Sequence, residues 1–115
     1  MSKLFFDDYP IVIDRELATL IGLNEAIVLQ QMHYWLEINK KANKNFKNGF
    51  HWTYNSMVKW HKNFPFWSLK TVKRIISILE KDGYIITDNF NQLGMDRTKW
   101  YRINYIKILD LQTFK

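Results

Sequence analysis

The chain has 115 residues, a length that suits one domain with a modest hydrophobic core. It contains no cysteine, which excludes disulfides and thiolate metal sites. It also lacks an apolar run of about 18 residues, so no segment suits a membrane span, and without a secretory signal pattern we expect a cytoplasmic protein.

The charge is unevenly distributed along the chain. Residues 1–39 carry two basic and six acidic residues, whereas residues 40–115 carry 15 basic and five acidic residues, and the net charge of the whole chain is +6. A strongly basic half predicts a polyanionic partner, with nucleic acid as the first candidate.

The first forty residues are predicted to form an arm and two helices. We expect residues 1–13 to be an extended N-terminal arm with a short strand at 11–13, and residues 14–40 to hold the helices. Asp14 can cap a helix that Gly22 ends, and Asn24 can cap the next helix, over about residues 25–40.

This second helix has more apolar surface than one buried face needs. A second apolar stripe lies roughly 120° from the main one, if successive residues turn by about 100°. Either the N-terminal arm covers this stripe, or it is the interface of a homodimer. Its members are Ile27, Tyr34 and Ile38.

The middle of the chain is predicted to be a loop, a strand and a short helix. Residues 40–49 are polar, basic and rich in turn formers, which favours an exposed loop. Residues 51–54 alternate like a strand, and Thr53 can cap a helix over residues 54–63, which Phe64 and Pro65 end.

Residues 68–83 predict a strongly amphipathic helix with Ser68 as its N-cap and Gly83 at its end. At about 100° per residue, one side is apolar and the opposite arc is basic. The basic arc is either a solvated face or a nucleic-acid contact surface. The apolar side holds Leu69, Val72, Ile75, Ile76 and Leu79, and the basic arc holds Lys70, Lys73, Arg74, Ser77 and Lys81.

After Gly83 the apolar period changes to two, which predicts strands at 84–88 and 99–104 joined by the turn-rich segment 89–98. Residues 105–111 are either a short helix or an extended segment. Helix, turn, basic helix and hairpin over residues 51–104 predict a winged helix-turn-helix, in a fold that is mainly α with a small β-hairpin (α+β) and a single domain over 1–115.

Several short motifs carry a more specific resemblance, in one fixed order along roughly residues 5–105. The set resembles the N-terminal winged-helix domain of replication initiator or replisome-organiser proteins, of the DnaD type, from phages and plasmids of Gram-positive bacteria. The motifs are IGLNEA at 21–26, QQMHYW at 30–35, WTYN at 52–55, FPFWS at 64–68 and DRTKWY at 96–101.

The resemblance implies double-stranded DNA as the ligand and other replication proteins as partners, and the residues suggest how DNA is held. Side chains near the start of a recognition helix reach base edges in the major groove, while residues of the wing meet the backbone or the minor groove. For the bases we expect Lys70, Thr71, Lys73, Arg74 and Ser77; for the backbone we expect Arg97 and Lys99 of the wing (residues 89–99), with Asn55 and Lys59 on the preceding helix.

The sequence carries no enzyme signature. The three histidines lie apart without metal-ligand spacing, and no phosphate-binding glycine loop occurs, so we expect neither catalysis nor a cofactor nor a metal. The alternatives to an initiator are a transcriptional regulator of the same fold and a protein-interaction module of a replisome assembly.

Overall fold

The computed structural model describes residues 11–91 and 98–113, and these residues form helices and small antiparallel sheets. The architecture is α+β, as expected. Along the chain the elements are α1 (Arg15–Ile21), α2 (Leu23–Ala42), β1 (Phe46–Lys47), β2 (Phe50–His51), β3 (Thr53–Asn55), α3 (Met57–Asn63), α4 (Leu69–Lys81), β4 (Ile85–Asp88), β5 (Lys99–Ile103) and α5 (Tyr105–Thr113).

The two N-terminal helices meet at a glycine. Asp14 caps α1 as predicted, because its carboxylate accepts a 2.9 Å hydrogen bond from the Leu17 backbone N–H. Gly22 has φ 105°, a conformation that suits glycine, and it ends α1. The predicted Asn24 cap is wrong: α2 begins at once after Gly22, which places Asn24 inside its first turn.

Two predictions at the ends of this region need correction. Within the described part of the N-terminal arm, residues 11–13 do not form a strand, and residues 1–10 lie outside the described residues. The segment 40–49 is not simply a loop, since α2 continues to Ala42 and β1 then pairs antiparallel with β2. The turn between these strands uses Asn48 and Gly49, both at positive φ.

The predicted helix over residues 54–63 starts later than expected. Thr53 is buried and belongs to β3, whose backbone pairs with β5, so it cannot act as a helix cap. Ser56 is the cap instead, and its hydroxyl accepts a 3.3 Å hydrogen bond from the Lys59 backbone N–H. As a consequence Asn55 lies on a strand and not on the helix.

The ends of α4 are as predicted. The Ser68 hydroxyl accepts from the Thr71 backbone N–H at 3.1 Å. At the other end Gly83 has φ 80°, and its N–H donates to the Glu80 carbonyl while the Tyr84 N–H donates to the Leu79 carbonyl. This pair of hydrogen bonds is a Schellman motif, which satisfies carbonyls that the helix itself leaves free.

The three-stranded sheet has the order β3-β5-β4, and all its pairs are antiparallel. The hairpin of β4 and β5 confirms the two predicted strands. Asn91 fastens its connection: the amide nitrogen donates to the Thr98 carbonyl at 2.7 Å, and the amide oxygen accepts from Trp100 Nε1 at 2.9 Å. Residues 92–97 of the connection lie outside the described residues.

The core lies between α2, α3, α4 and one face of this sheet. Trp60 and Trp100, whose positions the sequence left uncertain, are both buried, and the Trp60 ring meets Tyr101 edge-on at 5.6 Å. The last segment is a helix, α5, rather than an extended strand. None of the described helices has the length and hydropathy needed to cross a membrane.

Candidate nucleic-acid interface

Helix α4 presents one face to the core and the other to solvent. Val72, Ile75 and Leu79 are 0% exposed and Ile76 is 1% exposed, so the apolar side of the helix is enclosed from Val72 onward, while Leu69 at its start is partly exposed. Five polar side chains on the opposite side are exposed, as predicted: Lys70, Lys73, Arg74, Ser77 and Lys81. Since the enclosed side chains hold the helix in one rotation about its axis, the basic arc has a fixed direction.

The turn between α3 and α4 positions the start of the basic helix. His61 Nε2 donates a 2.8 Å hydrogen bond to the Trp67 carbonyl, which ties the end of α3 to the residue before the Ser68 cap. Phe64 is fully buried in this turn, and its ring lies 5.4 Å from the Trp67 ring. The short connection is therefore held both by the packing of the Phe64 side chain and by the hydrogen bond from His61 to the Trp67 backbone.

Thr71 lies on the first turn of α4 but is partly committed to the helix cap. Its hydroxyl accepts a 3.1 Å hydrogen bond from the Ser68 hydroxyl, while its own N–H donates back to Ser68. Lys70, Lys73 and Arg74 have no such partner among the described residues, and they are therefore better placed than Thr71 for new contacts.

Lys99 joins the hairpin to the other end of α4. Its ammonium lies 3.6 Å from a carboxylate oxygen of Glu80, and the second carboxylate oxygen accepts a 2.6 Å hydrogen bond from the Thr87 hydroxyl. The pair is half exposed, so it contributes little to stability. Lys99 nevertheless offsets part of the negative charge that Glu80 would otherwise place beside the basic helix.

Asn55 is brought next to Lys99 although the two are far apart in sequence. They are register partners on β3 and β5, and together they line a cavity of about 370 Å³. Lys59 is exposed on α3, three residues after the Ser56 cap. Lys99 and its register partner Asn55 therefore lie beside α4, because Lys99 pairs with Glu80. Lys59 is positioned by the packing of α3 on α4.

A polar groove extends the surface beyond the predicted residues. It has a volume of about 460 Å³ and runs between α2, β3 and α3. Sequence reasoning missed Lys62 and Asn63, although their spacing of three and four residues from Lys59 places all of them on one side of α3. It could not find Asn39 and Asn45, because only the fold brings them to this groove.

Of the two arginines in the hairpin, the structure describes only Arg102, which does not join this surface. Arg97 lies outside the described residues. Arg102 lies over the Phe50 ring, 3.7 Å from its centroid, and so belongs to the surface covered by the β1–β2 hairpin. Burial lowers the pKa of Arg102 below its usual value.

Comparison with protein-family models, curated proteins and solved structures finds no match to this chain. Within 11–91 and 98–113, no group of three or more histidine and carboxylate side chains is arranged to hold a metal ion.

We predict that the helix and the hairpin respond differently to mutation. If α4 reads DNA, Arg74→Ala should weaken binding to a preferred duplex by about 1–3 kcal/mol and relax the preference at one base pair, because it would remove a base contact. Lys99→Ala should weaken binding to all duplexes alike, because it would remove a backbone contact and would leave the charge of Glu80 without its cation. Fluorescence anisotropy with preferred and random duplexes measures both effects.

Two controls accompany this comparison. Lys107→Ala removes a cation of α5 that lies over the Tyr84 ring and is not one of the predicted contact residues, so it should weaken binding less than either variant. Ile75→Asp buries a charge in the core and should unfold the domain, which shows what loss of folding looks like in the same assay. Altered base preference in Lys99→Ala, with none in Arg74→Ala, would reverse the assignment.

Proposed function

We propose that this chain is a winged helix-turn-helix module that binds double-stranded DNA with sequence preference during replication initiation of a phage or plasmid. The observation that carries the proposal is the fixed, exposed basic arc of α4, supported from behind by four enclosed aliphatic side chains. The order of elements, with β3 before the helix pair and a hairpin after it, supports the same proposal.

In this proposal α4 is the recognition helix. A helix with its side chains is about 10–12 Å across, which suits a major groove about 12 Å wide. Lys73 and Arg74 lie in the second turn, where they can donate to guanine O6 and N7, and Ser77 follows one turn later. Because the enclosed face fixes the helix rotation, these three side chains would enter the groove together.

The remaining basic side chains would hold the DNA backbone. Lys99 and Asn55 lie on the sheet beside the end of α4, and Lys59 and Lys62 lie on α3. Phosphate contacts of this kind set the register of a protein on DNA but do not read the sequence. The polar groove beside α3 would extend this backbone contact, since the described residues that line it include lysines and amides but no acidic side chain.

The replication role follows from the resemblance of the sequence motifs to replication initiators. DNA binding itself rests on the surface chemistry, so the two parts of the proposal are separable. Sequencing of host DNA recovered with the protein distinguishes them: an initiator should enrich its own replication origin, whereas a transcriptional regulator should enrich promoters.

We expect DNA binding to depend strongly on salt. If about 4–6 phosphates are neutralised, the logarithm of the binding constant should fall against the logarithm of the salt concentration with a slope of about −4 to −5. Titration of a random duplex at several salt concentrations measures this slope. A slope near zero, or no binding at low salt, would contradict DNA binding and favour a protein-interaction module.

The module is further proposed to act as a homodimer. Tyr34 is 56% exposed and Ile38 is 39% exposed on α2, although both are large and apolar. Ile27, which the sequence placed in the same stripe, is partly buried against the core and is therefore less accessible for a contact between subunits. A two-fold dimer would present two copies of α4 to two half-sites.

Charge substitution tests the dimer. The double variant Tyr34→Glu, Ile38→Glu should sediment as a folded monomer at concentrations where the parent chain is a dimer, because a carboxylate at an apolar contact is costly. Val58→Glu is a matched control, since Val58 is also exposed but lies on α3. A monomeric parent chain at high concentration would exclude this interface.

A further inference from the structure

A second concave surface has a lining that, within 11–91 and 98–113, shares no side chain with the candidate nucleic-acid interface. It is a cavity of about 500 Å³ between the second half of α2, the β1–β2 hairpin, the sheet and the start of α5. This volume is within the range of about 300–1,000 Å³ that small-molecule sites occupy. Its walls are mainly apolar, with Leu36, Phe50, Ile86, Ile103 and Ile106 among them.

Arg102 brings a positive charge into this apolar cavity. Its guanidinium lies 3.7 Å from the Phe50 ring centroid and 5.4 Å from the Trp52 ring centroid. Its Nε atom is buried and has no hydrogen-bond partner among the described residues. Arginine stays charged in proteins. An anionic partner would therefore stabilise this partly desolvated guanidinium.

The protein does not supply that partner within the described residues. The ion pair between Lys99 and Glu80 involves neither Arg102 nor any other side chain of the cavity. Glu37 is the acidic residue of the lining, and its charge acts on Tyr105. Burial, with Glu37 as the second cause, raises the pKa of the Tyr105 hydroxyl to about 12.

The other charges of the cavity do not cancel Arg102. Lys40 also lines it, and with Arg102 it outweighs Glu37 by one positive charge. His51 adds a polar edge, where its Nε2 atom is hydrogen bonded to the Asn43 side-chain oxygen at 3.3 Å. The cavity therefore combines apolar walls with a net positive charge and a guanidinium whose Nε has no hydrogen-bond partner among the described residues.

We propose that this cavity binds an apolar group that carries a carboxylate. The carboxylate would pair with the Arg102 guanidinium, whose planar fork matches two carboxylate oxygens, and the apolar part would cover the aliphatic walls. Such a ligand is either a free aliphatic or aromatic acid, or the C-terminal residue of a polypeptide. Both sources offer the same chemistry to the cavity.

The test compares an acid with its neutral analogue. The full ¹⁵N-labelled chain is titrated with 4-phenylbutyrate and, separately, with 4-phenylbutanol, and backbone and arginine Nε–H shifts are followed. The acid should bind about ten-fold more tightly than the alcohol, since only the acid pairs with Arg102. The largest shifts should fall on Arg102 and on residues 103–106.

Variants distinguish the contribution of the Arg102 charge to ligand affinity from that of the cavity volume. Arg102→Met should remove the preference for the acid and keep alcohol binding, while Arg102→Lys should keep part of the preference, because a single ammonium lacks the fork. Ile106→Trp places a large side chain at the cavity from a position that is 75% exposed, and should weaken both ligands without disturbing the core. Arg74→Ala should change neither, which makes this test independent of DNA binding.

Peptides identify the source of the carboxylate. A short peptide that ends in phenylalanine is titrated with a free C-terminus and with a C-terminal amide. Preference for the free C-terminus, with affinity above that of 4-phenylbutyrate, supports a polypeptide end as the ligand; higher affinity for 4-phenylbutyrate supports a free acid. Equal affinity of acid and alcohol, no binding of either at millimolar concentration, or shifts confined to another surface would overturn the proposal.

Discussion

The enclosure of one face of α4 is the constraint on which the rest of the structure depends. Four aliphatic side chains of this helix are at most 1% exposed, and burial of each contributes about 1.5–3 kcal/mol. A rotation of the helix would bring some of them into water and would place lysines in the core. The same packing that stabilises the domain therefore also orients the basic arc, so stability and surface chemistry come from opposite sides of a single helix.

Electrostatics divides the remaining surface into two regions. At the end of α4 the Glu80 carboxylate accepts a hydrogen bond from Thr87 and pairs with Lys99, which offsets part of its negative charge beside the basic arc. In the cavity beside the β1–β2 hairpin, Arg102 lies against the Phe50 and Trp52 rings, and its Nε has no hydrogen-bond partner among the described residues. The first arrangement suits a long polyanion and the second suits a single carboxylate beside apolar walls, and for this reason we propose a different ligand for each.

Local signals in the sequence predicted α4 and its surroundings well. Ser68 and Gly83 mark the two ends of a helix through their own chemistry, and the 3.6-residue period needs no information from elsewhere in the chain. Thr53 misled the prediction because its partner, Tyr101 on β5, is distant in sequence, and pairing with that strand overrode its capping tendency. The strands β1 and β2 have two residues each, too few for a period to appear.

The candidate site was predictable only where it lies on one element. The basic arc could be read from helical spacing, but the proximity of Asn55 to Lys99 required the strand register, and the place of Arg102 required the β1–β2 hairpin. The measurement that tests the central claim most directly is an NMR map of the labelled chain with and without a DNA duplex. Our account predicts the largest shifts at Lys70, Lys73, Arg74 and Ser77, with smaller ones on α3 and β5. Shifts confined to α2 and α5, with none on α4, would contradict it.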